Sequence, residues 1–193
     1  MCFTDYAQKV AEKIDQSVFC LADQAVKQSL WLQTVIQRLN QVKQQGSTLY
    51  ILGNGGSAAI ASHAQVDFIN MLGIKANCLQ DSAVLTCFSN DYGYENAYAH
   101  ILEKLAQPQD LLWVISSSGN SQNLIQAAEI MLKKSCHLIS LTGFKADNRL
   151  RQLTLDSGGE SIWLPSCQYG EVETGHQLMI HALVDLMKDQ LVT

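Results

Sequence analysis

Thr48-Leu49-Tyr50-Ile51-Leu52-Gly53-Asn54-Gly55-Gly56-Ser57-Ala58-Ala59-Ile60-Ala61 passes from an unbroken apolar run, through three glycines, into a helix-forming stretch. The run is continuous where a half-exposed strand would alternate, as expected of a parallel strand covered by helices on both faces. The same texture recurs. Apolar runs from Asp110 to Ile115 and from Cys136 to Thr142 are each followed by Gly, Ser or Asn and then by an amphipathic segment. That alternation marks βαβ units, so the expected fold class is α/β. Further short strands are expected from Ile74 to Leu79 and from Ser161 to Leu164, with a final helix from about Glu173 to Leu191.

Two of the strand-to-helix junctions carry chemistry. Gly53, Gly55 and Gly56 let the backbone adopt positive φ and approach a ligand closely, and the helix that opens there offers unpaired amide donors to an anion. After the Asp110 run comes Ser116-Ser117-Ser118-Gly119-Asn120-Ser121, whose hydroxyls can surround the oxygens of a phosphate with neutral donors. Neither loop has the G-x-G-x-x-G or GK[ST] pattern of dinucleotide and nucleotide folds. Gly, Ser and Asn also make turns and cap helices without binding anything. Two such loops in one α/β sheet favour the ligand reading, because ligands bind outside the carboxyl ends of the strands.

The first 45 residues hold neither Gly nor Pro and space Val18, Leu21, Val26, Leu30, Leu32, Val35, Ile36 and Leu39 by threes and fours. This predicts a helical hairpin ahead of the sheet, ended by Gly46-Ser47. The chain has 193 residues, enough for one core, and a formal net charge of -5 with no Lys/Arg-rich run. Direct nucleic-acid binding and an anionic membrane surface are therefore not expected. The six cysteines (Cys2, Cys20, Cys78, Cys87, Cys136, Cys167) stand singly in apolar surroundings and read as buried, reduced thiols. With no basic leader and no apolar stretch near the roughly 18 residues of a membrane helix, the expected location is the cytoplasm.

His63 and Asp67 lie four apart, on one helix face and at metal-ligand spacing; Glu173 and His181 share the last segment, and His176 points elsewhere on it. Each of these is also an ordinary helix-surface residue when taken alone. Asp91, in Ser89-Asn90-Asp91-Tyr92-Gly93-Tyr94-Glu95, reads equally as a turn residue.

Taken together and in this order, Gly53-Asn54-Gly55-Gly56-Ser57 with His63, the segment from Ser89 to Glu95, the run from Ser116 to Ser121 and the closing His181 resemble the sugar isomerase (SIS) domain family, and within it the phosphoheptose isomerases. The resemblance spans nearly the whole chain. It implies a single SIS domain, a three-layer αβα fold with a five-stranded parallel sheet after the helical hairpin, and a homotetramer with sites between subunits. The implied reaction interconverts sedoheptulose 7-phosphate and D-glycero-D-manno-heptose 7-phosphate on the way to surface polysaccharide. Its implied substrate contacts are Asn54, Gly55, Gly56, Ser57, Asn90, Asp91, Ser116, Ser117, Ser118 and Ser121. The implied cofactor is a divalent metal, zinc in the isomerase branch, with His63, Asp67, Glu173 and His181 as ligands. The catalytic set it implies is Asp67, His181 and Glu173, with Asp67 standing where the isomerases have a Glu base and Glu173 where they have a Gln ligand. A proton moved between C1 and C2 needs such a carboxylate. The rival in the same family is a noncatalytic tetramer of the initiator-associating kind. Retention of His63, His181 and an acid at 67 favours the isomerase.

Overall fold

The apolar runs become strands with both faces buried. In the computed structural model, which describes residues 2–192, the elements are α1 (Phe3–Asp15), β1 (Val18–Leu21), β2 (Gln24–Val26), α2 (Gln28–Gln45), β3 (Leu49–Leu52), α3 (Gly56–Asn70), β4 (Ala76–Asn77), α4 (Ser82–Tyr92), α5 (Tyr94–Leu105), β5 (Leu111–Ser116), α6 (Gln122–Lys133), β6 (His137–Thr142), α7 (Arg149–Asp156), β7 (Glu160–Trp163) and α8 (Tyr169–Val192). The seven-stranded sheet has the order β2-β1-β7-β6-β5-β3-β4. Its five members from β4 to β7 are mutually parallel, as expected.

Successive residues of each strand feed opposite layers. Leu49, Ile51, Leu111, Trp113 and Ile115 pack with Trp31 and Leu39 of α2, Phe68 of α3 and Leu183 of α8. Tyr50, Leu52, Leu112 and Val114 pack with Tyr98 of α5, Leu124 of α6 and Leu150 of α7. Two cores on one sheet make the three-layer αβα architecture.

The N-terminal segment corrects the sequence reading. Two helices form, but Val18, Leu21 and Val26 belong to an antiparallel β1–β2 hairpin between them, and β1 pairs antiparallel with β7. The parallel set alone would leave the edge of β7 with unpaired backbone groups, and Val18–Leu21 satisfies them. Ala22, at φ 50°, turns the chain and donates its amide to the Gly159 carbonyl at 2.9 Å. The cysteines are all free, as expected, but only Cys20, Cys78 and Cys136 are buried; Cys2, Cys87 and Cys167 are exposed. Among the described residues, no helix is long and apolar enough to cross a membrane.

Carboxylates lock the amino-terminal edge of the sheet. Asp110 is buried just ahead of β5, and its two oxygens accept from the Thr48 amide at 2.7 Å and the Gln107 amide at 2.8 Å. Glu160, equally buried, accepts from Arg38 at 2.8 Å and pairs with His137 at 2.5 Å. Asp110→Ala strands two amides, so it should cost about 2–4 kcal/mol in urea unfolding with an unchanged m-value; a loss below about 1 kcal/mol would show the clamp to be idle.

Burial also leaves a pH signature. His176 is fully enclosed, its Nε2 lying 3.2 Å from the Thr142 carbonyl and its Nδ1 without a partner. Burial pushes its pKa down to about 4, partly opposed by that carbonyl. The unfolded chain therefore takes up this proton near pH 6.5 and the folded chain only near pH 4, so stability falls as pH drops through that window, by on the order of 3 kcal/mol in total. His176→Asn should flatten the pH 4–6.5 part of the unfolding free-energy profile relative to wild type. Parallel profiles for the two proteins would refute this.

Candidate functional site

The sheet order fixes where a ligand can sit. From β3 the chain crosses to β4 on one side, and from β5 it crosses to β6 on the other. The loops leaving β3 and β5 therefore diverge to opposite faces and open a crevice between the two carboxyl ends, the position where doubly wound sheets bind ligands. α3 and α6 begin at this crevice, with Gly55 and Ser121 as their N-cap residues, and neither side chain caps its helix. Both helix starts thus retain amide donors and the positive end of the helix dipole.

A cleft of about 300 Å³ lies here, lined by Asn54, Gly55, Gly56, Ser57, Ser116, Ser117, Ser118, Ser121, Tyr169 and Glu173. Every residue of the two loops expected to meet substrate is in this lining. Ser116 and Ser118 use their hydroxyls to accept from the amides of Gly119 and Asn120 at 3.1 and 3.2 Å, which shapes the second loop. The buried Ser117 hydroxyl has no protein partner, the condition of a donor waiting for a ligand oxygen. Gly119 makes the loop possible, since it sits at φ 63° and a Cβ there would lie 1.9 Å from Asn148 Oδ1.

Asn90 and Asp91 lie outside this lining. They are exposed at the end of α4, where Asn90 donates to Asp91 at 3.0 Å. Tyr169 is a member of the lining that the sequence did not announce. It packs edge-on against Phe144 with ring centroids 4.9 Å apart, and nothing in its local pattern distinguishes it from a surface tyrosine.

α8 packs along α3 and brings the second constellation together. His63, Asp67 and His181 converge so that one ligand atom from each falls within 4.8 Å of the others. Asp67 Oδ2 stands 3.2 Å from His181 Nδ1 and 3.6 Å from His63 Nε2, yet it is buried and makes no hydrogen bond. The two imidazoles meet edge to face with centroids 4.9 Å apart. Donor atoms around a tetrahedral ion with bonds of about 2.0–2.1 Å are roughly 3.3 Å apart. The spacing about Asp67 brackets that value, and an orphaned carboxylate oxygen between two imidazoles fits a divalent cation. His181 Nε2 is 2.6 Å from the Gln177 side-chain nitrogen, a contact that fixes the ring's orientation; ligation through Nδ1 requires the Gln177 amide to turn its oxygen to this position and accept the Nε2 proton.

Glu173 is not in this group. It precedes His181 by eight residues, about 12 Å along the helix, and its carboxylate faces Gly56, where a Cβ would lie 2.3 Å from Oε2. Glu173 thus stands in the cleft, and the structure gathers three of the four expected ligands.

Comparison with known proteins bears on this geometry. A family model described as the SIS domain matches residues 11–143. Phosphoheptose isomerase of Thiobacillus denitrificans is 35% identical over 77% of this chain and 77% of its own length. That of Geotalea daltonii is 31% identical over 95% of this chain and 91% of its own. The structure of a phosphoheptose isomerase from Francisella tularensis superposes with a TM-score of 0.81 at 25% identity, covering 98% of this chain and all of the other. Agreement in fold over the whole length, joined to identity above 30% in sequence, places the chain in the SIS domain family, among its phosphoheptose isomerases.

Proposed function

We propose that the protein is an aldose–ketose isomerase that converts sedoheptulose 7-phosphate to D-glycero-D-manno-heptose 7-phosphate through an enediol. One dimension carries this reading. Extended single bonds advance about 3.5 Å per three, so the eight bonds from phosphorus to C1 span roughly 9 Å. Gly56 and His63 are seven residues apart on α3, about 10 Å along its axis. A seven-carbon chain with its phosphate on the two uncapped helix starts therefore brings C1 and C2 to the level of His63, Asp67 and His181.

The phosphate end is held by the amides that open α3 and α6 and by Ser116, Ser117, Ser118 and Ser121, all neutral donors, which suits an anion that must be released after each turnover. Glu173 accepts hydrogen bonds from sugar hydroxyls along the chain. At the far end Asp67 takes the C1 proton, exchanges it with solvent and delivers a proton to C2, while His181 gives a proton to O2 as the enediol forms and takes the O1 proton as the aldehyde forms. A divalent cation, zinc by family, held by His63, Asp67 and His181 would replace His181 in that role when bound, supplying Lewis-acid stabilisation of the same oxygen.

We further propose a homotetramer. Val66 and Ile69 of α3 and Leu178 and Leu186 of α8 expose apolar side chains, and α4 buries none of its own residues. Faces of this kind are covered by other copies in symmetric assemblies. Light scattering at micromolar concentration should return four times the chain mass of 21.3 kDa; a monomer would refute it.

Two measurements address the site. Ser118→Leu fills the phosphate seat, so the KM for sedoheptulose 7-phosphate should rise ten- to a hundredfold, the loss of one charge-assisted hydrogen bond, with an unchanged melting temperature. An unchanged KM would remove phosphate from this cleft. Titration with zinc alone should give one site per chain that is lost in His63→Ala and Asp67→Asn and retained in Glu173→Gln. Retention in Asp67→Asn with loss in Glu173→Gln would reverse the roles of the two acids.

A further inference from the structure

Asn54 sits where β3 gives way to the glycine loop, and its side chain meets residues from the start of α6, after β5, and from the turn between α4 and α5. Its Nδ2 donates to Asn123 Oδ1 at 2.9 Å, and Asn123 Nδ2 donates back to Asn54 Oδ1 at 2.9 Å. Tyr94, the first residue of α5, donates its hydroxyl to the same Asn54 Oδ1 at 2.8 Å. A side-chain amide has two N–H donors and an oxygen with two lone pairs. Both lone pairs of Asn54 and one of its N–H groups are thus engaged within the protein. One N–H remains, and Asn54 lines the cleft.

We propose that Tyr94 and Asn123 are positioning residues which hold Asn54 as an obligate hydrogen-bond donor, so that this subsite receives an acceptor oxygen of the sugar phosphate and refuses a hydroxyl hydrogen. The proposal rests on the phosphosugar reading and deepens it. Without its partners, an asparagine amide turns by half a rotation and offers oxygen or nitrogen indifferently. The reciprocal amide pair alone leaves one lone pair free to accept from substrate, and the Tyr94 hydroxyl removes that option. The two partners differ in kind. Asn123 is 3% exposed, so water cannot replace it, whereas Tyr94 is 49% exposed and its ring is not needed to fill a core. Tyr94 also follows Gly93, whose φ of 81° turns the chain between α4 and α5. The hydroxyl therefore ties the segment carrying Asn90 and Asp91 to the rim of the cleft.

A double-mutant cycle tests this, with sedoheptulose 7-phosphate titrated calorimetrically into wild type, Tyr94→Phe, Asn54→Ala and the double variant. Tyr94→Phe should weaken binding about three- to tenfold, the loss of one hydrogen bond, and raise KM while leaving kcat near wild type. In the Asn54→Ala background the same substitution should have no further effect. Asn54→Asp, which offers only acceptors, should bind more weakly than Asn54→Ala. An equal penalty for Tyr94→Phe in both backgrounds would show the hydroxyl touching substrate directly and overturn the proposal. So would full affinity in Tyr94→Phe, or in Asn54→Asp. Failure of folded wild type to bind the sugar phosphate at all would instead strike the phosphosugar reading beneath it.

Discussion

A parallel strand buried on both faces must hand its chain over the carboxyl edge of the sheet, and between β3 and β5 the handover changes direction. That reversal is the constraint on which the rest depends. It pulls two loops apart, brings the starts of α3 and α6 to one crevice, and leaves their amide donors uncapped. Among the described residues, no basic side chain lines the cleft. In a chain with a formal net charge of -5 and with the Glu173 carboxylate in the lining, the proposed phosphate would be held locally by backbone dipoles and hydroxyls and not by the field of the whole molecule. On that proposal the site would discriminate by shape and hydrogen bonding, without the tight ion pairing that slows release.

Much of this was legible in the sequence because the signals were local. Leu49–Leu52, Leu111–Ser116 and His137–Thr142 are strands within a residue or so of the apolar runs that announced them. The glycine and serine loops met in one cleft because their positions at strand ends left them little choice. His63 and Asp67 share a face through helical periodicity alone, and His181 joins them because α8 packs on α3. The first 45 residues misled for the opposite reason. Val18, Leu21 and Val26 group with a helical pattern in the sequence, whereas Val18–Leu21 pairs both with β2 in a local hairpin and with the edge of β7, more than a hundred residues later. Register against a distant edge leaves no local trace.

The same distinction separates the site residues. Glu173 was grouped with the ligands through its family position, but its distance from His181 along α8 and its approach to Gly56 put its carboxylate in the cleft. Tyr94 and Asn123 were invisible because their importance lies in a third residue, Asn54, to which they are tied across 40 and 69 positions of chain. Residues that act through a partner carry no motif of their own. At the opposite edge of the sheet, the Asp110 and Glu160 clamps play the complementary part, holding the amino ends of β3, β5, β6 and β7 so that the carboxyl ends keep a fixed opening.

The isomerase assignment stands on a proton lost from C1 to a base that exchanges with solvent and a proton delivered to C2, and turnover in heavy water follows that exchange. Zinc-loaded protein with sedoheptulose 7-phosphate in D2O should yield a heptose 7-phosphate bearing deuterium at C2 and return ketose labelled at C1, both read by proton NMR and mass. Unlabelled, unconverted ketose after prolonged incubation with folded, metal-loaded protein would contradict the assignment.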